Sequence, residues 1–255
     1  MLSKEKCTLA INEWEITRSN FSKIQNLIDP TAVFHFTQEN CDWISKHNDN
    51  SKFHAYAGVT NDEFILIIIP LDKVGQEIIL DEYLTTKLTD LKGDITLTEK
   101  EVVTTVTKTT LSAKLEITKH WKVVDLPVYN EPTISESASA KSIKKWKNEC
   151  SDWFYYECNN SGGQNIFRVF EVPFADLSRE DATQGEVIAL FGFKYSTIYQ
   201  TQIPLLVFVA IDDQDNSTAI IRTMSTSDNI VETNTKDWAR PCPPLCKDKK
   251  EYTFL

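Results

Sequence analysis

Two stretches of the chain are apolar at nearly every position and end in aspartate. They read FILIIIPLD, residues 64–72, and PLLVFVAID, residues 204–212. Because successive side chains of a strand point to opposite faces, an uninterrupted apolar run predicts a strand that is covered on both sides. Each run follows a second strand candidate with one glycine, HAYAGV around Gly58 and ALFGFK around Gly192. The pattern therefore predicts two buried strand pairs.

Apolar spacings of three and four predict helices that would cover these strands. The helix candidates span residues 22–27, 32–46 and 138–158. The last of them carries an apolar stripe formed by Ile143, Trp146, Cys150 and Phe154. Residues 166–172, IFRVFEV, are rich in β-branched and aromatic side chains and predict one more strand.

A threonine-rich segment, residues 95–124, has a different character. It contains no glycine or proline, and apolar and polar positions alternate strictly over residues 111–118, which predicts a half-buried strand. The charged residues 99–101 fit a polar hairpin tip. Alternating strands also occur in hairpins that insert into bilayers, so a membrane-active interpretation stays open. We favour an added β-hairpin, because the apolar phase shifts between residues 102 and 106.

The order of elements predicts an α+β protein made of two related units. A connector with two prolines and four serines or threonines, residues 125–140, nearly bisects the chain. On each side a helix containing CDW (41–43) or CSDW (150–153) precedes a glycine-bearing strand and then an apolar strand. We predict a first unit over residues 1–130 with the hairpin elaboration, and a second over residues 131–255. Each would be a small, mainly antiparallel sheet with helices packed on one side.

Composition and charge restrict the classes of partner. The 255 residues are 41% apolar, which is enough for a substantial core, and the formal net charge is −10. Because excess carboxylates oppose binding to phosphate backbones, nucleic acid is not expected as a ligand. The same charge would favour docking to a basic protein surface, but a surface kept soluble by its carboxylates is the commoner explanation. The longest apolar run is far shorter than the ~20 residues of a membrane-spanning helix. The first residues lack the apolar core of a secretory signal, so we expect a cytoplasmic location.

The common catalytic and cofactor motifs are absent from the sequence. The four histidines form no metal-binding pair or H-E-x-x-H, and the seven glycines form neither phosphate-binding motif nor a G-x-S-x-G elbow. The acidic run at residues 212–217 lacks the glycine and the glutamate of a calcium loop. We therefore predict no catalytic residues, no cofactor and no established metal site.

The segment PCPPLC holds the remaining candidates for chemistry, Cys242 and Cys246. Two cysteines are half of a usual zinc site, so a metal would need Cys7, Cys41, Cys158 or a second chain. The spacing also differs from the C-x-x-C redox motif. A stiff tail with buried thiols is the favoured interpretation, and a weak metal site, a disulfide and a thiol-dependent reaction remain open.

Four segments of the second half carry a resemblance to a known group of proteins. FRVFEVPFADL, VIALFGFK, PLLVFVAID and DWARPCPPLC are similar to short uncharacterised bacterial proteins with a terminal PCPxxC-type motif. The resemblance covers residues 138–246, and the first half looks like a partial copy. It implies the fold and the duplication, and it transfers no catalytic residue.

The leading functional hypothesis is a non-catalytic cytoplasmic protein that binds another protein, as an immunity, adaptor or defence-associated component. It rests on the missing catalytic constellation, the acidic charge and the strand edges available for pairing. Two alternatives are kept: a metal- or thiol-dependent enzyme that uses Cys242 and Cys246, and a membrane-active protein that inserts residues 95–124. Self-association into a homo-oligomer also stays open.

Overall fold

The structure is a computed structural model. It describes residues 1–101, 105–115, 136–177, 185–196, 200–212, 221–223, 231–233, 235–236, 239–244, 246 and 252–255. The helices within these ranges are α1 (Lys4–Thr17), α2 (Phe21–Leu27), α3 (Gln38–His47) and α4 (Glu136–Ser161). The strands are β1 (Leu2–Ser3), β2 (Val33–Phe36), β3 (Lys52–Thr60), β4 (Glu63–Ile69), β5 (Glu82–Thr89), β6 (Ile95–Glu101), β7 (Thr105–Leu111), β8 (Val169–Pro173), β9 (Gly185–Ser196), β10 (Thr201–Asp212), β11 (Ile221–Thr223), β12 (Val231–Thr233), β13 (Thr235–Lys236) and β14 (Arg240–Cys242).

Two antiparallel sheets result from these strands. The large sheet has the order β13-β10-β9-β2-β5-β4-β3-β8-β14, with β1 also paired to β5, and the small sheet has the order β11-β12-β6-β7. The predicted α+β class is confirmed. The predicted unit boundary between residues 130 and 131 lies outside the described residues, and strands from both sides of it share the large sheet.

Local sequence accounts for where the helices begin. The Ser3 side chain accepts a hydrogen bond from the Lys6 amide at the start of α1, and Thr37 and Asn40 form a reciprocal capping box at the start of α3. Helix α4 buries the apolar stripe that its spacing predicts, from Ile143 to Phe154. The helix predicted over residues 138–158 is thus confirmed and extends a little at both ends.

The two predicted strand pairs lie in the large sheet. Strand β3 pairs with β4, with Gly58 opposite Ile65, and β9 pairs with β10, with Gly192 opposite Leu205. The apolar runs are buried on both faces of the sheet, as the missing alternation predicts.

A helix crosses each of these pairs at its glycine. A methyl group on Gly58 would lie 3.2 Å from the Cβ atom of Ala10 in α1, and one on Gly192 would lie 2.1 Å from the Oγ atom of Ser142 in α4. The missing side chain therefore allows helix and strand to approach closely. One turn after each crossing, Trp14 and Trp146 enter the same aromatic core.

The third strand beside each pair comes from the other half of the chain. Strand β8 pairs with β3 and sets Phe170 opposite Ala55, whereas β2 pairs with β9 and sets Phe34 opposite Ala189. The halves are therefore joined by direct hydrogen bonding between remote strands.

The core consists of one central cluster and two outer clusters. The central cluster gathers most of the aromatic side chains. On one outer side lies the tail-covered face, formed by Cys7, Ala10, Ile11, Tyr56, Ile65, Ile67, Ile69, Tyr83, Val169, Cys242 and Tyr252. On the other lies the hairpin-covered face, formed by Val33, Leu91, Ile95, Leu97, Leu111, Leu115, Ala140, Ile143, Ile188, Leu190, Leu205, Val207 and Val209.

Three local predictions were wrong or incomplete. The helix predicted over residues 32–46 is instead strand β2 followed by α3, because the Thr37 cap starts the helix only at Gln38. Helix α1 was not predicted. The alternating strand predicted over residues 111–118 ends at Leu111 and is followed by a turn. Residues 116–118 lie outside the described part of the chain. No helix that the structure describes is both long and apolar enough to cross a membrane.

Candidate functional site

The two cysteines of PCPPLC form a disulfide in the structure. The Cα atoms of Cys242 and Cys246 are 4.5 Å apart, and the bonded sulfurs leave neither residue as a free thiolate. Cys242 is buried in the tail-covered face, whereas Cys246 is exposed. The structure therefore contains the disulfide, one of the interpretations that the sequence left open, and not the free thiols of the favoured interpretation.

The free cysteines have the character of structural thiols. Burial raises the pKa of Cys7 to about 11 and that of Cys150 to about 12, and it also raises the pKa of Cys158. Reactive cysteines need a lowered pKa, because the thiolate is the nucleophile. Within the described ranges, no three histidine, cysteine or acidic side chains are grouped so that they could hold a metal ion. Residues 213–217 of the acidic run lie outside those ranges.

A buried polar cluster of His54, Tyr56 and Glu77 lies beneath the tail-covered face. Glu77 Oε1 lies 2.6 Å from His54 Nδ1 and accepts a 2.5 Å hydrogen bond from the Tyr56 hydroxyl. The side chains of Glu77 and His54 are 0% and 2% exposed. His54 and Tyr56 are two residues apart in β3 and therefore share a face, while Glu77 reaches them from the connection between β4 and β5.

The segment Tyr252–Leu255 closes this cluster. The Thr253 amide donates a 2.7 Å hydrogen bond to Glu77 Oε2, and the Phe254 ring lies 5.7 Å from that of Tyr56, centroid to centroid. The ring of Tyr252 lies 4.9 Å from that of His54, centroid to centroid. Glu77 thus satisfies donors from both the sheet and the tail.

A second buried carboxyl group flanks His54 on the neighbouring strand. Glu171 lies directly opposite His54 across the β3–β8 pair, and its Oε1 atom is 2.7 Å from Lys52 Nζ. At the corresponding place between β2 and β9, His35 Nδ1 lies 2.5 Å from Glu186 Oε1. Each of these two junctions between the halves of the chain therefore carries an acid–base contact between side chains, with the acidic partner on β8 in the first case and on β9 in the second.

Burial and the shared carboxyl group set the electrostatics of the cluster. Burial, followed by the Glu77 carboxyl group, raises the pKa of Tyr56 well above its ordinary value, so this hydroxyl stays a donor. A carboxyl group on Nδ1 of a histidine fixes the ring in the way a general base requires. The Tyr252 ring, however, covers this histidine. His54, Tyr56 and Glu77 therefore hold the segment Tyr252–Leu255 against the sheet.

Sequence reasoning identified neither His54 nor Glu77. One signal was present, because His54 and Tyr56 are the polar positions in the otherwise apolar stretch FHAYAGV, residues 53–59, of β3. No local pattern marks Glu77, which lies in an irregular connection 23 residues from its histidine partner.

An exposed aromatic patch occupies the last turns of α4. Of the aromatic run WFYY, residues 153–156, Phe154 is buried and Trp153 is partly buried against the central core, whereas Tyr155 and Tyr156 are 58% and 61% exposed. The Tyr155 ring lies 5.3 Å from the ring of Phe21. We call Tyr155, Tyr156 and the neighbouring Asp152, Asn159 and Asn160 the tyrosine face.

Comparison with known proteins yields no relative that would assign a function to these features. No protein-family model matches the chain, and neither a curated protein nor a solved structure matches it significantly.

Proposed function

We propose that this protein is a non-catalytic binding protein whose partner is a basic protein, and that the partner contacts the tyrosine face. The observation that carries the proposal is the exposure of two adjacent tyrosines on a helix whose other aromatic side chains are packed in the core. Tyrosine is enriched at protein interfaces, because its rigid ring offers a large contact area and a polar tip.

The surroundings of the two tyrosines support this role. Asn159 and Asn160 lie one turn further on, and their side-chain amides donate 2.9 Å hydrogen bonds to the carbonyls of Tyr155 and Tyr156. Rigid aromatic anchors beside adaptable polar groups are typical of recognition surfaces. The contact with Phe21 also orders the Tyr155 ring before binding, which lowers the entropic cost of association.

The charge of the chain indicates the kind of partner. The net charge is −10, and the exposed Asp152 lies one turn before Tyr156 on the same side of α4. A basic surface would be attracted at long range and would meet a carboxylate beside the aromatic contact.

The features that chemistry would use are engaged within the molecule itself. Cys242 and Cys246 are bonded to each other, His54 is covered by Tyr252, and Glu77 accepts a hydrogen bond from the Thr253 amide. These internal contacts support a non-catalytic role. A cytoplasmic location stays a prediction.

Site-specific photo-crosslinking in the source cell tests the binding role. A photoreactive phenylalanine analogue at position 155 or 156 should give a discrete crosslinked product that contains a basic protein. Position 195 provides the matched control, since Tyr195 is similarly exposed, at 54%, on a different element.

Two outcomes of the crosslinking experiment would contradict a partner at the tyrosine face. One is identical crosslinked products from positions 155, 156 and 195, and the other is the absence of products from all three. In a pull-down with the identified partner, Tyr155→Ser combined with Tyr156→Ser should reduce capture at least tenfold, whereas Tyr195→Ser should not.

We also propose that the chain is an internal duplication in which the two units have exchanged a strand. The proposed correspondences join α1 to α4, β3–β4 to β9–β10, and β2 to β8. They are supported by the repeated order of helix crossing, glycine and tryptophan, and by the repeated cross-strand contacts Phe170 with Ala55 and Phe34 with Ala189. In this proposal the element of the first unit that corresponds to α4 is α1, whereas the sequence pattern indicates the helix that contains Cys41.

The two acid–base contacts between exchanged and central strands give independent support. Lys52 with Glu171 and Glu186 with His35 occupy corresponding places, with the acidic side chain on the exchanged strand in the first case and on the central strand in the second. A chance match of generic strands would not require such a contact at both junctions. The tryptophan variants described in the Discussion test the correspondence.

A further inference from the structure

The segment Tyr252–Leu255 contacts the sheet in the manner of a bound peptide. Its first and third residues direct aromatic rings toward the sheet, while Thr253 between them is exposed. Its backbone is held by Glu77, which accepts a hydrogen bond from the Thr253 amide. Main-chain hydrogen bonds combined with side-chain pockets are the means by which proteins bind peptide segments.

The segment lies in a groove formed by His54, Tyr56, Glu77 and Tyr83, and each of its two aromatic rings contacts a different part of it. The Tyr252 ring lies 4.9 Å from the His54 ring at an interplanar angle of 37°, and the Phe254 ring contacts Tyr56 and Tyr83 with centroids 5.7 Å apart in both cases. The contact with Tyr83 is edge to face, at 90°. Such pairs add to the free energy of burial beyond the apolar area, so both rings are anchors.

The groove is built by groups that the sheet itself does not require. At the corresponding positions in the proposed second unit, His54 and Tyr56 are replaced by Ile188 and Leu190, which are buried among apolar side chains. A core strand can therefore be closed without a polar cluster. The polar groups of the first unit match the amides and rings of the segment that covers them.

We propose that this groove is a peptide-binding site for polypeptides with the pattern Tyr-x-Phe-Leu, and that Tyr252–Leu255 is its occupant within the chain. A partner with this pattern would displace the segment and make the same contacts with Glu77, Tyr56 and Tyr83. The proposal uses neither Tyr155 nor Tyr156, so its outcome is independent of the tyrosine face.

An occupant within the same chain has an effective concentration in the millimolar range, so a free peptide competes poorly with it. The test therefore uses the full-length chain with Tyr252→Ser and Phe254→Ser, which removes both anchors. The probe is a fluorescein-labelled peptide Lys-Glu-Tyr-Thr-Phe-Leu, the sequence of residues 250–255. Its control is the peptide with serine in place of the tyrosine and the phenylalanine. Fluorescence anisotropy measures binding of both peptides.

We expect the aromatic peptide to bind the double variant at least tenfold more tightly than the control peptide does, and tenfold more tightly than it binds the wild-type chain. Adding Glu77→Gln should weaken this binding about tenfold, because the amide nitrogen cannot accept the backbone hydrogen bond. Glu82→Gln, at an exposed position of the neighbouring strand, should leave it unchanged. Equal binding of the two peptides to a folded double variant would overturn the proposal.

Hydrogen exchange of the wild-type chain decides the question if the double variant does not fold. A displaceable segment opens without global unfolding. The amides of Thr253 and Phe254 should then be protected at least a hundredfold less than those of β3, such as Ala55. Protection of the tail equal to that of β3 would mean that the segment leaves only when the whole protein unfolds, and the proposal would fail.

Discussion

The tail-covered face and the hairpin-covered face are built on strand pairs of the same design, but they are closed in different ways. On the hairpin-covered face, Ile188 and Leu190 meet apolar residues of β6 and β7, such as Leu97 and Leu111. On the tail-covered face, His54 and Tyr56 meet Glu77 and a short aromatic segment.

The difference distinguishes the requirements of the sheet from those of the segment that packs over it. An apolar cover gains free energy from buried area and has little directional preference. A polar cover must satisfy each donor and acceptor, so it selects one arrangement of one segment. The tail-covered face is therefore the more specific of the two, which is why we propose the peptide-binding site there and not on the hairpin-covered face.

The largest effects are expected at the tryptophans that follow the two helix crossings. Trp14→Ala and Trp146→Ala should each lower the free energy of unfolding by about 3–5 kcal/mol, since both rings are almost fully buried in the central cluster. Urea denaturation measures both values. A cost below about 1 kcal/mol for either variant would break the proposed correspondence of α1 and α4.

The conservative variants sharpen this comparison. Trp14 Nε1 donates a 2.8 Å hydrogen bond to the Phe167 carbonyl, whereas Trp146 Nε1 has no partner among the described residues. Trp14→Phe should therefore cost about 1 kcal/mol more than Trp146→Phe, because it leaves a buried carbonyl unpaired. Equal costs would mean that this hydrogen bond contributes nothing.

Variants of Glu77 test whether the polar contacts on the tail-covered face can be replaced by apolar ones. Glu77→Ala alone should cost about 3 kcal/mol, because it leaves His54, the Tyr56 hydroxyl and the Thr253 amide without their common acceptor. Adding His54→Ile and Tyr56→Leu, the residues of the other face, should recover most of the loss. Thermal and urea unfolding of both variants measure this difference. A triple variant no more stable than Glu77→Ala would contradict the comparison.

Alkaline pH should weaken the tail-covered face through Cys7. Burial raises the pKa of this thiol from 9.0 to about 11, so the folded state favours the protonated form. Its contribution to stability is complete below pH 9 and is lost as the pH rises toward 11. The loss should reach about 2 kcal/mol near pH 10.5.

The measurement for Cys7 compares urea denaturation at pH 8 and pH 10.5. Cys7→Ala should reduce the pH-dependent loss by that amount. Cys41→Ala, at a partly exposed position, serves as the control and should reduce it less. An unchanged pH dependence in Cys7→Ala would disprove the assignment.

The smallest effects are expected at the two acid–base contacts, Lys52 with Glu171 and His35 with Glu186. The Glu171 side chain is 4% exposed and that of Glu186 is 33% exposed. Glu171→Gln should therefore cost about 1–2 kcal/mol, whereas solvent screening should keep Glu186→Gln below about 0.5 kcal/mol. Chemical denaturation at low and high salt distinguishes them, and a larger cost at Glu186 would reverse the order of burial inferred for the two junctions.

The sequence by itself determined the local elements that have strong periodicity. The uninterrupted apolar runs predicted both buried strand pairs, and the stripe from Ile143 to Phe154 predicted α4. These predictions succeed because burial of a strand or a helix face requires apolar residues at fixed spacings. Helix α1 was missed, since exposed Leu9 and Ile16 blur its apolar stripe.

Only the tertiary structure decided how these elements combine. The pairing of β2 with β9 and of β8 with β3, the placement of Glu77 beneath His54 and Tyr56, and the contact of Tyr252 with the cluster all join segments that are remote in the chain. Local periodicity specifies which face of an element is buried, but it carries no information on which distant segment will cover that face. That choice depends on the packing and hydrogen bonding of the whole fold.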